Sequence, residues 1–95
     1  MQHHDWYFLT NYAFVLIQVR QNPDATVKLI ADHVGITERA VHRILAELTT
    51  AGYITRRRVG RKNSYTVRSE RQLRHPLSAH LQVGQLIEAL ELRRS

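Results

Sequence analysis

Eight of the fourteen lysines and arginines fall between positions 56 and 74: Arg56, Arg57, Arg58, Arg61, Lys62, Arg68, Arg71 and Arg74. Glu70 is the single acid among them. A basic field this concentrated is complementary to a polyanion, with nucleic acid ahead of a membrane surface. A second basic group, Arg39, His42 and Arg43, lies in a stretch with helical periodicity. Arginine there can fork onto a guanine edge or a phosphate, and His42 can add charge at lower pH.

Other chemistry finds little footing. The carboxylates Asp5, Asp24, Asp32, Glu38, Glu47, Glu70, Glu88 and Glu91 are scattered, without a paired motif. Ser64 and Ser78 have no nucleophile context, and the four glycines form no phosphate-cradling loop. The expectation is no enzyme, no catalytic residue and no cofactor. Six histidines raise the question of a metal. His3 and His4 are adjacent, while His75 and His80 lack the i, i+4 spacing that places two ligands on one helical face. Polar or capping roles account for them better, and no metal is expected. With no cysteine there is neither a disulfide framework nor a thiolate site, which fits a reducing, cytoplasmic setting.

The elements that position the basic groups follow from pattern. Val27–Ala51 reads as two short helices broken at Gly35-Ile36-Thr37, with Gly35 ending the first and Thr37 capping the second. At 100° per residue, Val41, Ile44, Leu45 and Leu48 share one face of the second helix. Arg39, Arg43, Ala46 and Thr50 lie opposite, with Ala40 and His42 on the flanks. This is a helix-turn-helix.

Tyr53–Arg68 reads as a β-hairpin, with strands at about 53–59 and 64–68. Its tip is Gly60-Arg61-Lys62-Asn63, where glycine and asparagine suit positive φ. Edge hairpins carry cations to stay soluble, but three consecutive arginines plus Arg61 and Lys62 exceed that need. The hairpin is read as a wing.

Around this core, a first helix runs from Thr10 or Asn11 to about Gln21, ending before Asn22-Pro23-Asp24. It is apolar nearly all round and therefore wants cover on more than one side. Ala25–Val27 is read as a short extended segment pairing with the hairpin edge. A last helix is expected from Pro76 to about Leu92, with Ala79, Val83, Leu86, Ile87 and Leu90 on one stripe and Leu77, Leu81 and Gly84 on another. A helix-interior glycine costs about 1 kcal/mol against alanine, and Gly84 is read as the close approach of another backbone. A two-fold homodimer through Phe14, Ile17, Leu77, Leu81, Gly84, Leu86 and Leu90 is the economical explanation. No signal peptide is read, and the uncharged run Trp6–Val19, at about 14 residues, falls short of the roughly 20 that span a bilayer.

The expected fold is thus α+β, mostly α. A single winged helix-turn-helix domain fills 1–95, with a helix-turn-helix at about 27–51, a wing at about 53–68 and a C-terminal dimerisation helix at about 76–92. Two rival uses of that fold remain: a protein–protein module inside a larger assembly, and a sequence-neutral architectural or RNA-binding protein.

The chain resembles the small stand-alone winged-helix regulators grouped as MarR-like and ArsR-like transcription factors. The resemblance spans about Trp6 to Leu90. It rests on Leu9-Thr10-Asn11, Val34-Gly35-Ile36-Thr37-Glu38-Arg39, Ala51-Gly52-Tyr53, Gly60-Arg61-Lys62-Asn63 and Arg74-His75-Pro76. It implies a dimeric regulator of double-stranded DNA with the second helix of the motif in the major groove. It places DNA contacts on Thr37, Glu38, Arg39, His42 and Arg43, and on the wing residues Arg58, Arg61 and Lys62; Arg56 joins them from the basic run. ArsR-like metal sensors commonly use cysteine ligands, absent here, and MarR-like proteins are usually longer, with extra helices enclosing an effector pocket. No effector is assigned.

Overall fold

The computed structural model describes residues 6–91, so His3, His4, Asp5 and the expected helix end at Leu92 lie outside it. Asn11–Gln21 form α1, started by Thr10 in an extended conformation whose carbonyl accepts the Ala13 and Phe14 N–H groups. Val15, Leu16 and Val19 are its buried stripe, while Phe14 and Ile17 are half-buried and Tyr12 lies at the surface. Val27–Val34 form α2. Thr26 caps it, its Oγ1 accepting Leu29 N–H at 3.1 Å, and Gly35 ends it at φ +84°. Glu38–Thr50 form α3, where Thr37 repeats the device: its Oγ1 accepts Ala40 N–H at 3.0 Å. Each such cap satisfies an N–H that the helix leaves without a partner, worth about 1 kcal/mol.

The inward face of α3 is Val41, Ile44, Leu45 and Leu48, all buried, as its period requires. They meet α1 and α2 in one core with Tyr53, Ile54, Tyr65, Val83 and Ile87. At the far end, Gly52 N–H bonds Thr49 O and Tyr53 N–H bonds Leu48 O, the paired closure that stops a helix and turns the chain outward.

The hairpin is Ile54–Val59 (β1) and Lys62–Val67 (β2), antiparallel, registered from Ile54↔Val67 to Val59↔Lys62. The turn is therefore two residues, Gly60-Arg61, rather than the four expected. Gly60 takes φ +62° and, among the described residues, no non-glycine residue has positive φ, so Asn63 sits in the strand as an ordinary paired residue. Glycine at the first central position alone is the type II′ pattern, whose twist matches that of the strands. Nor does Ala25–Val27 form a strand. Thr26 and Val27 are consumed by the start of α2, and the hairpin instead reaches back once, through Tyr65 N–H to Pro23 O at 3.3 Å.

The largest correction is at the C-terminal end. The last helix, α4, is Val83–Glu91, and residues 76–81 are turns and bends. Local capping and long-range backbone bonds together defeat the expected start at Pro76. His75 Nδ1 accepts Leu77 N–H, His75 O accepts Ser78 N–H, and Leu81 N–H goes to Ser78 O. Across the loop, Leu73 N–H bonds Leu81 O, and Gln72 and Gln82 form an antiparallel bridge. Leu77 and Leu81 therefore do not share a helical stripe with Gly84. Gly84 does meet a backbone, but its own chain's. A Cβ there would lie 2.7 Å from Ser69 Cβ and 2.9 Å from Ser69 O, and Gly84 N–H donates to that carbonyl.

Candidate nucleic-acid interface

The two motifs read from sequence meet across one cleft. Residues paired directly across an antiparallel hairpin share a face. The register thus puts Arg56 beside Tyr65 and Arg58 beside Asn63, on the face that Ile54 and Val67 turn into the core. Arg57, opposite Ser64, and Lys62, opposite Val59, point to the other side. Beyond the core, the Arg56 face overhangs α3. The resulting cleft has a volume of about 370 Å³, with Leu45 and Tyr65 as its apolar floor and His42, Ala46, Thr49, Arg56 and Asn63 as its walls.

Arg39 stands on the exposed side of α3, and among the described residues it has no ion-pair partner. Glu38 is exposed in the first turn, and Thr37, also exposed, has its hydroxyl engaged as the cap. On the wing, Arg58 Nε donates to Gly60 O at 3.2 Å, bracing the turn. Arg61 and Lys62 occupy the exposed tip.

Arg43 is placed differently. Its Nη1 donates to Tyr12 OH at 3.2 Å and lies 3.4 Å from Glu47 Oε1; Tyr12 OH in turn donates to the same carboxylate oxygen. The cluster is solvent-facing, with the Arg43 and Glu47 side chains 59% and 52% exposed. The Tyr12 phenol is held above its ordinary pKa. Its hydrogen bond to Glu47 is the main cause, followed by desolvation and the carboxylate's charge, against the opposing pull of Arg43. Below this cluster a second cleft of about 530 Å³ runs between Tyr12, Glu47, Thr50, Tyr53 and Arg74.

Sequence reasoning missed Thr49, Asn63, Tyr12 and Glu47. The alternation along β1 already aligned Arg56 with Ile54, but the pairing that brings in Asn63 is a matter of register. Nothing in a first helix that is apolar nearly all round singles out Tyr12.

The residues assigned to dimerisation are dispersed. Phe14, Ile17, Leu81 and Leu86 are half-buried, Leu77 is 83% exposed, Leu90 is at the surface, and Gly84 is buried inside the chain. Near α1 an aromatic group lies open: Trp6 and Phe8 stack edge-to-face at 5.5 Å, and Tyr7 does so with Phe14 at 5.9 Å. Phe8 is 95% exposed.

The helix-turn-helix with the first strand and turn of the wing falls within a match to the MarR family model over residues 9–62, more than half the chain. The chain belongs to the MarR family. The family is one of DNA-binding transcriptional regulators, and that class of function comes with the membership. Comparison with curated proteins and with solved structures finds no match. No helix among the described residues is long and apolar enough to cross a membrane.

Proposed function

We propose that this MarR-family chain binds specific double-stranded DNA as a homodimer in the cytoplasm, with α3 in the major groove and the wing on the backbone or in the minor groove. The observation that carries the reading is the cleft between α3 and the hairpin. Its walls combine hydrogen-bonding groups (His42, Thr49, Asn63) with a cation, Arg56, and exposed arginines flank it on the helix and at the tip. Arg39 reads a base edge or a nearby phosphate, with Glu38, His42 and Arg43 beside it on α3. Thr37 sets the first turn of that helix against the groove. Arg56, Arg58, Arg61 and Lys62 neutralise phosphate, which fixes position rather than sequence.

Exposed apolar surface supports pairing of two chains. The exposed Trp6, Tyr7 and Phe8 lie in one stretch beside the half-buried Phe14 and Ile17, and the exposed Leu90 lies on α4 with the half-buried Leu86. The deciding experiment is selection of bound sites from a random duplex pool. A recovered palindrome is expected; unenriched binding would instead assign the chain a sequence-neutral role. Pairing is checked by mass in solution, where the wild type should weigh two chains and Leu86→Glu with Leu90→Glu one.

A further inference from the structure

Resting on the DNA-binding reading, we propose that Tyr12 and Glu47 are positioning residues that set specificity. They tether Arg43 in a neutralised pose, so that random DNA gains little from it and only a well-fitted duplex draws it out.

Three features of the site converge on this. First, Arg43 and Arg39 both project from the outward side of α3, yet only Arg43 is engaged on two sides. Its Nη1 meets the Tyr12 hydroxyl on one element and Glu47 Oε1 on its own helix. Second, the Tyr12 hydroxyl also donates to Glu47 Oε1. The carboxylate is thereby fixed toward α1 and draws the guanidinium away from the wing-side cleft. Third, the tether is exposed throughout. Exposed ion pairs at i, i+4 are weak, so a phosphate or base edge brought into register by full seating of α3 can compete Arg43 away. A rigid buried pair would not open.

The consequence is a cation that contributes according to fit. On random duplex the Glu47 charge cancels Arg43, and the arginine adds nothing to counterion release. On a site that seats α3 fully, the guanidinium exchanges Glu47 for the DNA and contributes its contact. Tyr12 acts through its hydroxyl alone, and Glu47 mainly through its charge.

The test measures binding to a selected site and to random duplex across a salt series. Glu47→Gln should tighten random binding by about threefold at moderate salt and steepen the salt slope by about 0.9, as for one added phosphate contact. Binding to the selected site should change less, so the preference between the two narrows. Tyr12→Phe should act in the same direction and more weakly. Both effects should vanish in an Arg43→Ala background. Equal tightening in that background would mean that Glu47 merely repels DNA, and would overturn the tether. Wild-type failure on every duplex at low salt would remove the DNA reading and this inference with it. Normal wild-type binding with an unaltered Glu47→Gln profile would remove this inference alone. A readout without DNA is the titration of the Tyr12 ring by NMR. It should fall toward the ordinary tyrosine range in Glu47→Gln, and an unchanged titration would show that the contact is absent in solution.

Discussion

The two flanks of α3 hold their arginines differently on one short helix. On the wing side, His42 and Thr49 face Arg56 and Asn63 across an open cleft, and no carboxylate among the described residues pairs with Arg56. On the α1 side, Arg43 is matched by Glu47 and held by Tyr12. The difference shows that counting arginines on an outward face overstates its charge. The uncompensated cations are Arg39 and those of the wing, while on the opposite flank Arg43 is offset by Glu47 until something competes for it.

The largest disruption should come from the residue that both flanks share. Ile44 is fully buried beneath them, and Ile44→Ala should cost about 2–5 kcal/mol in denaturant unfolding. Loss of stability below 1 kcal/mol would mean that the helix is not seated as described. Next, Arg39→Ala should change which base is preferred, at about 1–3 kcal/mol on the selected site, while random binding falls less. A parallel fall on both DNAs would make Arg39 a backbone contact. Arg61→Ala with Lys62→Ala belongs to the wing side and should weaken both DNAs alike, lowering the salt slope by about two. A change in sequence preference there would give the tip a reading role.

The smallest effect is on the α1 side and depends on pH. The Tyr12 pKa is raised in the folded chain, so the contribution of its hydrogen bond is complete below the unfolded value near 10 and is lost as pH rises through the folded one. Arg43 and Glu47 face it from α3, and Arg74 lines the cleft beneath. The stability gap between wild type and Tyr12→Phe should therefore hold steady at neutral pH and close above about pH 10. A gap unchanged in strong alkali would assign the difference to packing of the ring.

The helix-turn-helix was legible in the sequence because its causes are local. Thr37 and Gly35 mark helix ends through their own chemistry, and the 3.6-residue period of α3 sorts Val41 and Ile44 from Arg39. The family resemblance drew on Gly35, Thr37 and Arg39 among its residues. What escaped depends on distant backbone. Leu77 and Leu81 after Pro76 satisfy every local rule for a helix, yet bonds from Leu73 and the Gln72–Gln82 bridge hold that segment in turns. Gly84 correctly signalled a close backbone, but nothing local said whose. The hairpin register turned on whether Gly60 or Asn63 carried the positive φ, and a two-residue turn needs only Gly60. The Tyr12–Arg43–Glu47 cluster joins residues 31 and 35 positions apart, beyond any periodic argument.

The joint at Ser69 and Arg71 has a consequence for the operator. Just past β2, Ser69 O accepts Gly84 N–H and Arg71 O accepts Val83 N–H, each at 2.8 Å, so α4 starts bolted to the root of the wing without a swivel. If two copies pair through α4, the separation of their reading heads is then cast by the fold rather than by a linker. Half-site spacing on DNA becomes a ruler mark. Each base pair inserted between half-sites turns one of them by about 34° around the duplex, and a rigid joint has no slack with which to follow it.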